Sequence, residues 1–249
     1  MNAVENITTE LLVVAALMTL GKPLIVALVG KLAEAVARRH GPIVLGAPSP
    51  TQADRERRSV YLVLTDPLIL VVLVVFGVIR VAPDSARNVA ITFVAMFLWV
   101  DAWMYATHVA MHRLPLFARW HRHHHQSIVP RAASALSFSI AEKLCCYTLG
   151  WLLGAAAASR FISTSLLGIA AFYLFYFFAS ALAHANFEFL HRGADFGRFH
   201  LLGSSTSHAL HHVQPARNFG FFTTIYDRLF GTAATSSEYA AVNAQGART

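Results

Sequence analysis

The chain has 249 residues, 56% of them hydrophobic and only 13% charged, with a mean hydropathy of +0.51; this balance points away from an average soluble domain and towards a protein that lives in a bilayer. The formal charge of +7 does not read as a nucleic-acid surface, because the basic residues are scattered at the edges of apolar runs with no dense stripe; nucleic acid is excluded as a partner. The two cysteines, Cys145 and Cys146, are neighbours inside an apolar stretch, which suits packing better than a disulfide or a zinc ligand set.

In chain order, MNAVENITTE carries no positive charge ahead of the first apolar run, so that run is expected to remain as an anchor. Runs long enough to cross a bilayer lie at about 10–30, 60–80, 89–107, 134–158 and 161–183, given the roughly 20 residues that a spanning helix needs. Lys22 with Pro23 interrupts the first, Asp66 with Pro67 the second, and Glu142 with Lys143 the fourth; the first or fourth could therefore be kinked, re-entrant or interfacial. The expected fold is all-α: one membrane-embedded domain over 1–249, a bundle of four or five membrane segments with a helical cap, ending in a disordered tail over 233–249.

Lys31, Arg38, Arg39, Arg55, Arg57 and Arg58 all fall between the first two segments, and basic loops are biased to the cytoplasm. Threading onward, 108–133 and 184–249 return to that same side, and every dense histidine cluster is expected on the cytoplasmic face.

Nine of the thirteen histidines fall within 108–125 and 208–212. His108 and His112 are four apart; His121, His124 and His125 are separated by three and one, and His208, His211 and His212 repeat that spacing. Positions three and four apart share one helix face, with side chains about 5–6 Å from each other, close enough to bind one metal or a pair. Polar surface and lipid-headgroup attraction are the bland alternatives, but two copies of HxxHH with interleaved Trp120 and Arg122 favour metal. His123 points off the shared face and is left out. Eight clustered imidazoles exceed what one ion of four to six ligands takes, so the inventory implies two metals; imidazole alone suits iron, zinc, copper and nickel alike. Carboxylates are scarce near the clusters, unlike a soluble di-iron bundle.

HVAMH (His108, His112), HRHHH (His121, His124, His125), HAN (His184) and HALHH (His208, His211, His212) occur in the order seen in the membrane fatty acid hydroxylase and sterol desaturase superfamily. DAWMYATH, with Asp101 and Tyr105, and NFGFFTTIYDRLFGT at 218–232 add to the match. The chain resembles that family over about 60–232. The resemblance implies a non-haem di-iron centre on the cytoplasmic face, with two Fe ions held by His108, His112, His121, His124, His125, His184, His208, His211 and His212. It further implies O2 as co-substrate and oxidation of an unactivated C–H bond of a lipid, sterol-like or terpenoid substrate. Electrons would come from a separate donor protein of ferredoxin or cytochrome b5 type with its reductase, since no stretch of this chain resembles such a carrier.

Asp101, Asn186, Asn218 and Asp227 are the expected partners for the outer ring nitrogens. Some fatty acid 2-hydroxylase relatives have a second histidine where this chain has Glu188, which is thus a possible ligand or a surface charge; His191, on His184's helix face, is the other possible ligand. His40 and His200 have no helical partner and read as bystanders. Hydroxylation is the leading expectation and desaturation at the same centre the alternative. A non-catalytic metal transporter is a third reading, weakened because the clusters lie at segment ends and not at the bilayer midplane.

Overall fold

The computed structural model describes residues 3–44, 46–188 and 201–240. Its helices are α1 (Ala3–His40), α2 (Pro50–Arg58), α3 (Thr65–Val75), α4 (Ala86–Arg113), α5 (Pro115–His125), the single turn α6 (Ile140–Glu142), α7 (Leu149–Ala158), α8 (Leu166–Ala183), α9 (Ser205–Val213) and α10 (Ile225–Leu229). A 3-10 stretch joins α2 to α3, and a π turn, Lys143–Thr148, joins α6 to α7. Among the described residues β structure is confined to one antiparallel bridge, Leu202 with Thr223.

Among the described residues, four stretches are long and apolar enough to cross a membrane: Ile7–Arg39, Pro50–Val75, Ala86–Arg113 and Leu166–Ala183. The fourth expected segment, 134–158, is helical over 140–158 but interrupted by the π turn, and α7 alone is too short to span. α8 packs against both α1 and α4, and α7 packs on α4, with Trp151 of α7 5.5 Å from the Tyr173 ring of α8. A π turn displaces carbonyls from their regular donors; here the indoles of α4 supply replacements, Trp103 Nε1 donating to the Cys146 carbonyl at 2.7 Å and Trp99 Nε1 to that of Gly150 at 2.9 Å. The approach needs glycine, since a Cβ at Gly150 would stand 2.0 Å from the Trp103 ring.

The three charged interruptions of the apolar runs meet each other. Lys143 Nζ donates to Asp66 Oδ1 at 2.5 Å and to Thr148 at 2.9 Å, and Tyr173 donates to Asp66 Oδ2 at 2.8 Å. Lys22 Nζ lies 3.6 Å from Asp66 Oδ2 and 4.1 Å above the Phe177 ring. All three charged groups are at most 2% exposed. Such charges are tolerated in a bundle only when paired inward. α1, α3, α8 and the π turn are thereby tied through one carboxylate.

The two ends of the bundle differ. At one, the 76–86 and 159–165 connections close on each other: Ala82 N to the Thr164 carbonyl at 2.8 Å, Arg160 to the Val78 carbonyl at 3.0 Å. At the other, α2 clamps the stretch after α5. Glu56, 2% exposed, accepts from Gln52, Ser127, Ser134 and Arg131, and Gln52 also donates to the Val129 carbonyl at 2.7 Å. Asn186, at φ 57°, pairs with both backbone groups of Val44. The basic α1–α2 connection and the histidine-bearing segments thus share one face.

Residues 233–240, expected in a disordered tail, are instead folded as far as Ala240. A helical turn covers 236–240, Tyr239 is 4% exposed against Ala209 and Leu210, and its hydroxyl accepts from Asn218 Nδ2 at 3.1 Å. A buried ring with a satisfied hydroxyl outweighs the polar composition around it. Residues 241–249 lie outside the described residues.

Replacing Asp66 with Ala leaves two lysines buried without their carboxylate, and one-sided loss of a buried pair costs about 3–5 kcal/mol. The melting temperature of D66A in detergent is expected to fall sharply, whereas a triple variant with Met, Leu and Met at 22, 66 and 143 recovers most of it. Equal melting of D66A and wild type would show that this network carries no stability.

Candidate metal centre

α4 presents His108 and His112 one turn apart on its last two turns, and the chain then breaks at Leu114, extended at φ −101° and ψ 124° ahead of Pro115. A residue before proline is pushed out of the helical region, so the helix ends and α5 starts afresh, carrying His121, His124 and His125. His184 caps the C-terminal end of α8. α9, capped by the Ser204 hydroxyl accepting from Ser207 N, carries His208, His211 and His212.

All nine rings converge in two groups. His108, His112, His121, His125 and His211 form group one, and His124, His184, His208 and His212 form group two; within each, candidate ligand atoms lie within 4.8 Å of one another. In group one the Nε2 atoms of His112, His125 and His211 stand 3.1 Å apart pairwise, while Nε2 of His108 and of His121 is buried with no hydrogen-bond partner. In group two His184 Nε2 lies 3.2 Å from that of His124 and 2.9 Å from that of His208, which lies 3.2 Å from that of His212.

The outer nitrogens decide what these contacts are. His108 Nδ1 donates to the Phe219 carbonyl at 2.9 Å, His211 Nδ1 to that of Arg217 at 2.7 Å, His184 Nδ1 to that of Ser180 at 2.8 Å and His124 Nδ1 to that of Ser137 at 3.2 Å. His121 Nδ1 lies 2.6 Å from Glu142 Oε1. A neutral imidazole has one N–H, so these rings present bare lone pairs at Nε2. In group two two such lone pairs, of His124 and His184, face each other. Protonation does not relieve them: burial pushes His184 down to about 4 and His125 to about 3, and burial with neighbouring histidines holds His121, His124, His208, His211 and His212 well below the usual range. Convergent lone pairs in a dry site fit a metal cation. The spacing fits too, since two ligands about 2.1 Å from a metal and 90° apart lie roughly 3.0 Å from each other.

A family model described as fatty acid hydroxylase matches residues 93–232. The chain belongs to the fatty acid hydroxylase family. Very-long-chain aldehyde decarbonylase GL1-6 of Oryza sativa subsp. indica is 31% identical over 222 residues, covering 81% of this chain and 32% of that protein. Very-long-chain aldehyde decarbonylase CER1 of Arabidopsis thaliana is 27% identical over 146 residues, 56% of this chain and 23% of its own length; Protein CER1-like 1 of the same plant is 31% identical over 140 residues, 53% and 22%. The chain thus spans about a third of the first relative and less of the others. No solved structure matches it.

Within this member of the fatty acid hydroxylase family, the four residues expected to orient the rings bind elsewhere. Asp101 accepts from Phe222 N, Thr223 N and the Thr223 hydroxyl at 3.2, 3.1 and 2.6 Å. Asp227 accepts from Phe219 N, Gly220 N and the Thr232 hydroxyl at 2.8, 2.7 and 2.7 Å. Asn218, at φ 55°, bridges Ser207, Tyr239 and Ala234, and Asn186 holds Val44. The carboxylates fix the 218–224 loop, and the loop's Phe219 carbonyl, not a carboxylate, takes the His108 hydrogen. Gly220 belongs to this clamp: a Cβ there would stand 2.3 Å from the Thr223 carbonyl oxygen. Glu188 joins neither histidine group; its Oε2 accepts from Thr206 N at 3.1 Å at the start of α9, where a negative charge suits the helix dipole. His191 and His200 lie outside the described residues. His123 is half-buried beside Arg55 and outside both groups. Sequence reading missed Glu142 as a histidine partner; its one signal was a carboxylate inside an apolar segment.

Depressed histidines bind fewer protons folded than unfolded. Above about pH 6.5 neither state is protonated; below it the unfolded chain takes up protons that the folded chain refuses, so stability falls as pH falls. Metal-free protein is expected to melt progressively lower between pH 7 and 5, then level off towards the folded values near 4 and 3. A flat melting profile over pH 7–5 would show that these rings titrate normally.

Proposed function

We propose that this chain is an O2-dependent membrane oxidase in which nine histidines hold two iron ions, and that it hydroxylates an unactivated C–H bond of a long-chain lipid. One observation carries the reading: nine imidazoles, five of them held with Nε2 bare, meet in groups of five and four at the same end of an apolar bundle. His108, His112, His121, His125 and His211 would hold one ion and His124, His184, His208 and His212 the other. When bound, the metal pair supplies dioxygen binding and the oxidising power to take hydrogen from an alkyl carbon. Convergence of all nine rings at one end, with no further metal-ligand group among the described residues, favours this over metal transport.

The protein's own contribution is placement. A cavity of about 350 Å³ is walled by Phe97, Phe175, Phe178, Leu182, Phe221 and Phe222, with Ser204, Ser205 and Glu188 at one end. Its apolar wall suits an alkyl chain and excludes water, while the polar end, at the start of α9, suits a head group. Leu182 and Ser205, joined by a hydrogen bond of 2.5 Å, line this cavity and lie two and three residues before His184 and His208 in sequence. The basic α1–α2 connection, on the same face as the histidines, supports a cytoplasmic site. Exposed Arg38, Arg39, Arg57, Arg58, Arg119 and Arg122 there offer an acidic electron-donor protein a complementary surface.

Aldehyde cleavage is the second reading, favoured by the names of the relatives that align with 81% of this chain. Lipid extracts of cells with and without the gene, compared by mass spectrometry, separate the outcomes. A gain of one oxygen supports hydroxylation; loss of two hydrogens means desaturation, and a product one carbon shorter means aldehyde cleavage. His124→Ala is expected to abolish the new product, at least 100-fold below wild type if the ring is a ligand; an unchanged profile would sink the enzyme reading.

Ala179, in the wall of the cavity, sets its usable length. Ala179→Phe is expected to shift turnover towards substrates shorter by several methylenes while metal content stays constant. No change in chain-length preference would remove this cavity as the substrate slot.

A further inference from the structure

The nine rings are not supported alike. His108, His211, His124 and His184 give their outer hydrogen to neutral backbone carbonyls. His121, among the described residues, is the ring whose outer nitrogen meets a carboxylate, Glu142 Oε1 at 2.6 Å. The pair is closed off from water, with His121 2% and Glu142 0% exposed.

No lysine or arginine neutralises this carboxylate among the described residues. Lys143, next to it in sequence, turns instead to Asp66 and Thr148, and Glu142 meets the His121 ring and the Tyr147 hydroxyl. An ionised carboxylate buried without compensation costs several kcal/mol; a cation held at Nε2 of His121 would offset that cost through the imidazole. The local backbone is built to aim it there. Glu142 ends α6, its own N–H held by the Ser139 hydroxyl at 3.2 Å, and the π turn begins at the next residue. Each residue added to a helix rotates what precedes it by about 100°. Glu142 therefore faces α5 although α7 beyond the turn is fixed on α4 by the Trp99 and Trp103 hydrogen bonds. π turns of this kind concentrate at functional sites.

We propose that Glu142 is a positioning residue which, through His121, makes group one the tighter of two unequal metal sites. A carboxylate accepting the Nδ1 hydrogen locks the tautomer with Nε2 bare and raises the basicity of that nitrogen towards a cation. Group one adds a fifth imidazole to this advantage, whereas group two has four, none of which meets a carboxylate among the described residues. Group one fills first and releases last; group two is the exchangeable site. The inference rests on the metal-binding reading given above but not on the reaction assigned to it.

The test uses the full chain in lipid nanodiscs, loaded anaerobically with ferrous iron and then challenged with a ferrous chelator. Iron per chain and release kinetics are followed, with Mössbauer spectra of the loaded protein. Wild type is expected to hold two irons, released in a fast and a slow phase. Glu142→Gln retains an oxygen that accepts the same hydrogen bond, so folding, checked by size exclusion and circular dichroism, is preserved. It is expected to speed the slow phase by about 10- to 100-fold, leave the fast phase alone and alter one of the two iron signals. Glu142→Asp, which keeps the charge, gives a smaller effect, and serves as the variant pair with wild type if Gln does not fold. His212→Ala removes the fast phase instead. A slow phase unchanged in Glu142→Gln, or an effect confined to the fast phase, overturns the inference. Wild type that holds two irons yet oxidises no lipid sinks the proposed function and leaves this one standing; wild type that binds fewer than two irons sinks both.

Discussion

Imidazole lone pairs packed tip to tip in a dry interior repel unless a cation stands between them, and most of the polar structure of this protein serves to keep them there. The outer nitrogens of five rings are tied to fixed acceptors, which leaves the inner nitrogens no choice of direction. Behind those acceptors stand further ties. Asp101 and Asp227 hold the loop that offers the Phe219 carbonyl, and Glu56 gathers the residues that follow the α5 histidines. The site is preorganised by layers, the innermost of which is mostly backbone.

The bundle divides its polar work by depth. In the apolar segments charges are few and answer one another, as Lys22, Asp66 and Lys143 do. At the histidine end a dense net of backbone and side-chain bonds replaces them. The π turn links the two regimes: Lys143 looks into the bundle while Glu142, beside it, looks to the metal site. One irregular turn so serves both stability and chemistry.

Much of this was legible beforehand. Spacing alone assembled the helical histidines, because three- and four-residue intervals fix a face, and His184 came from family resemblance and lies in group two beside His208. The division into five and four was not legible, since it depends on how α5 turns back at Leu114 and which ring of HRHHH meets which neighbour. The outer partners were misjudged for a definite reason. Carboxylates are the acceptors a sequence displays, but the amides of the 218–224 loop claim Asp101 and Asp227 first, and carbonyls, which leave no mark in a sequence, take the imidazole hydrogens. Glu142 was visible only as a blemish in an apolar run, because the rotation that aims it comes from a π turn no spacing rule announces. Tyr239 was lost in a polar tail for the converse reason: one aromatic anchor outweighs its surroundings.

The Lys22, Asp66 and Lys143 network also bears on how the chain is made. Each charge costs about 2.5–3.5 kcal/mol at the centre of a segment entering a bilayer on its own, and the residues that relieve it arrive in strict order along the polypeptide, Lys22 first, Asp66 next, Lys143 and Tyr173 last. The early segments therefore gain from waiting together at the insertion machinery until α8 emerges. Biogenesis of this chain is in that sense a single collective event, with α1 committed to the lipid only once the later helices have come to share its charge.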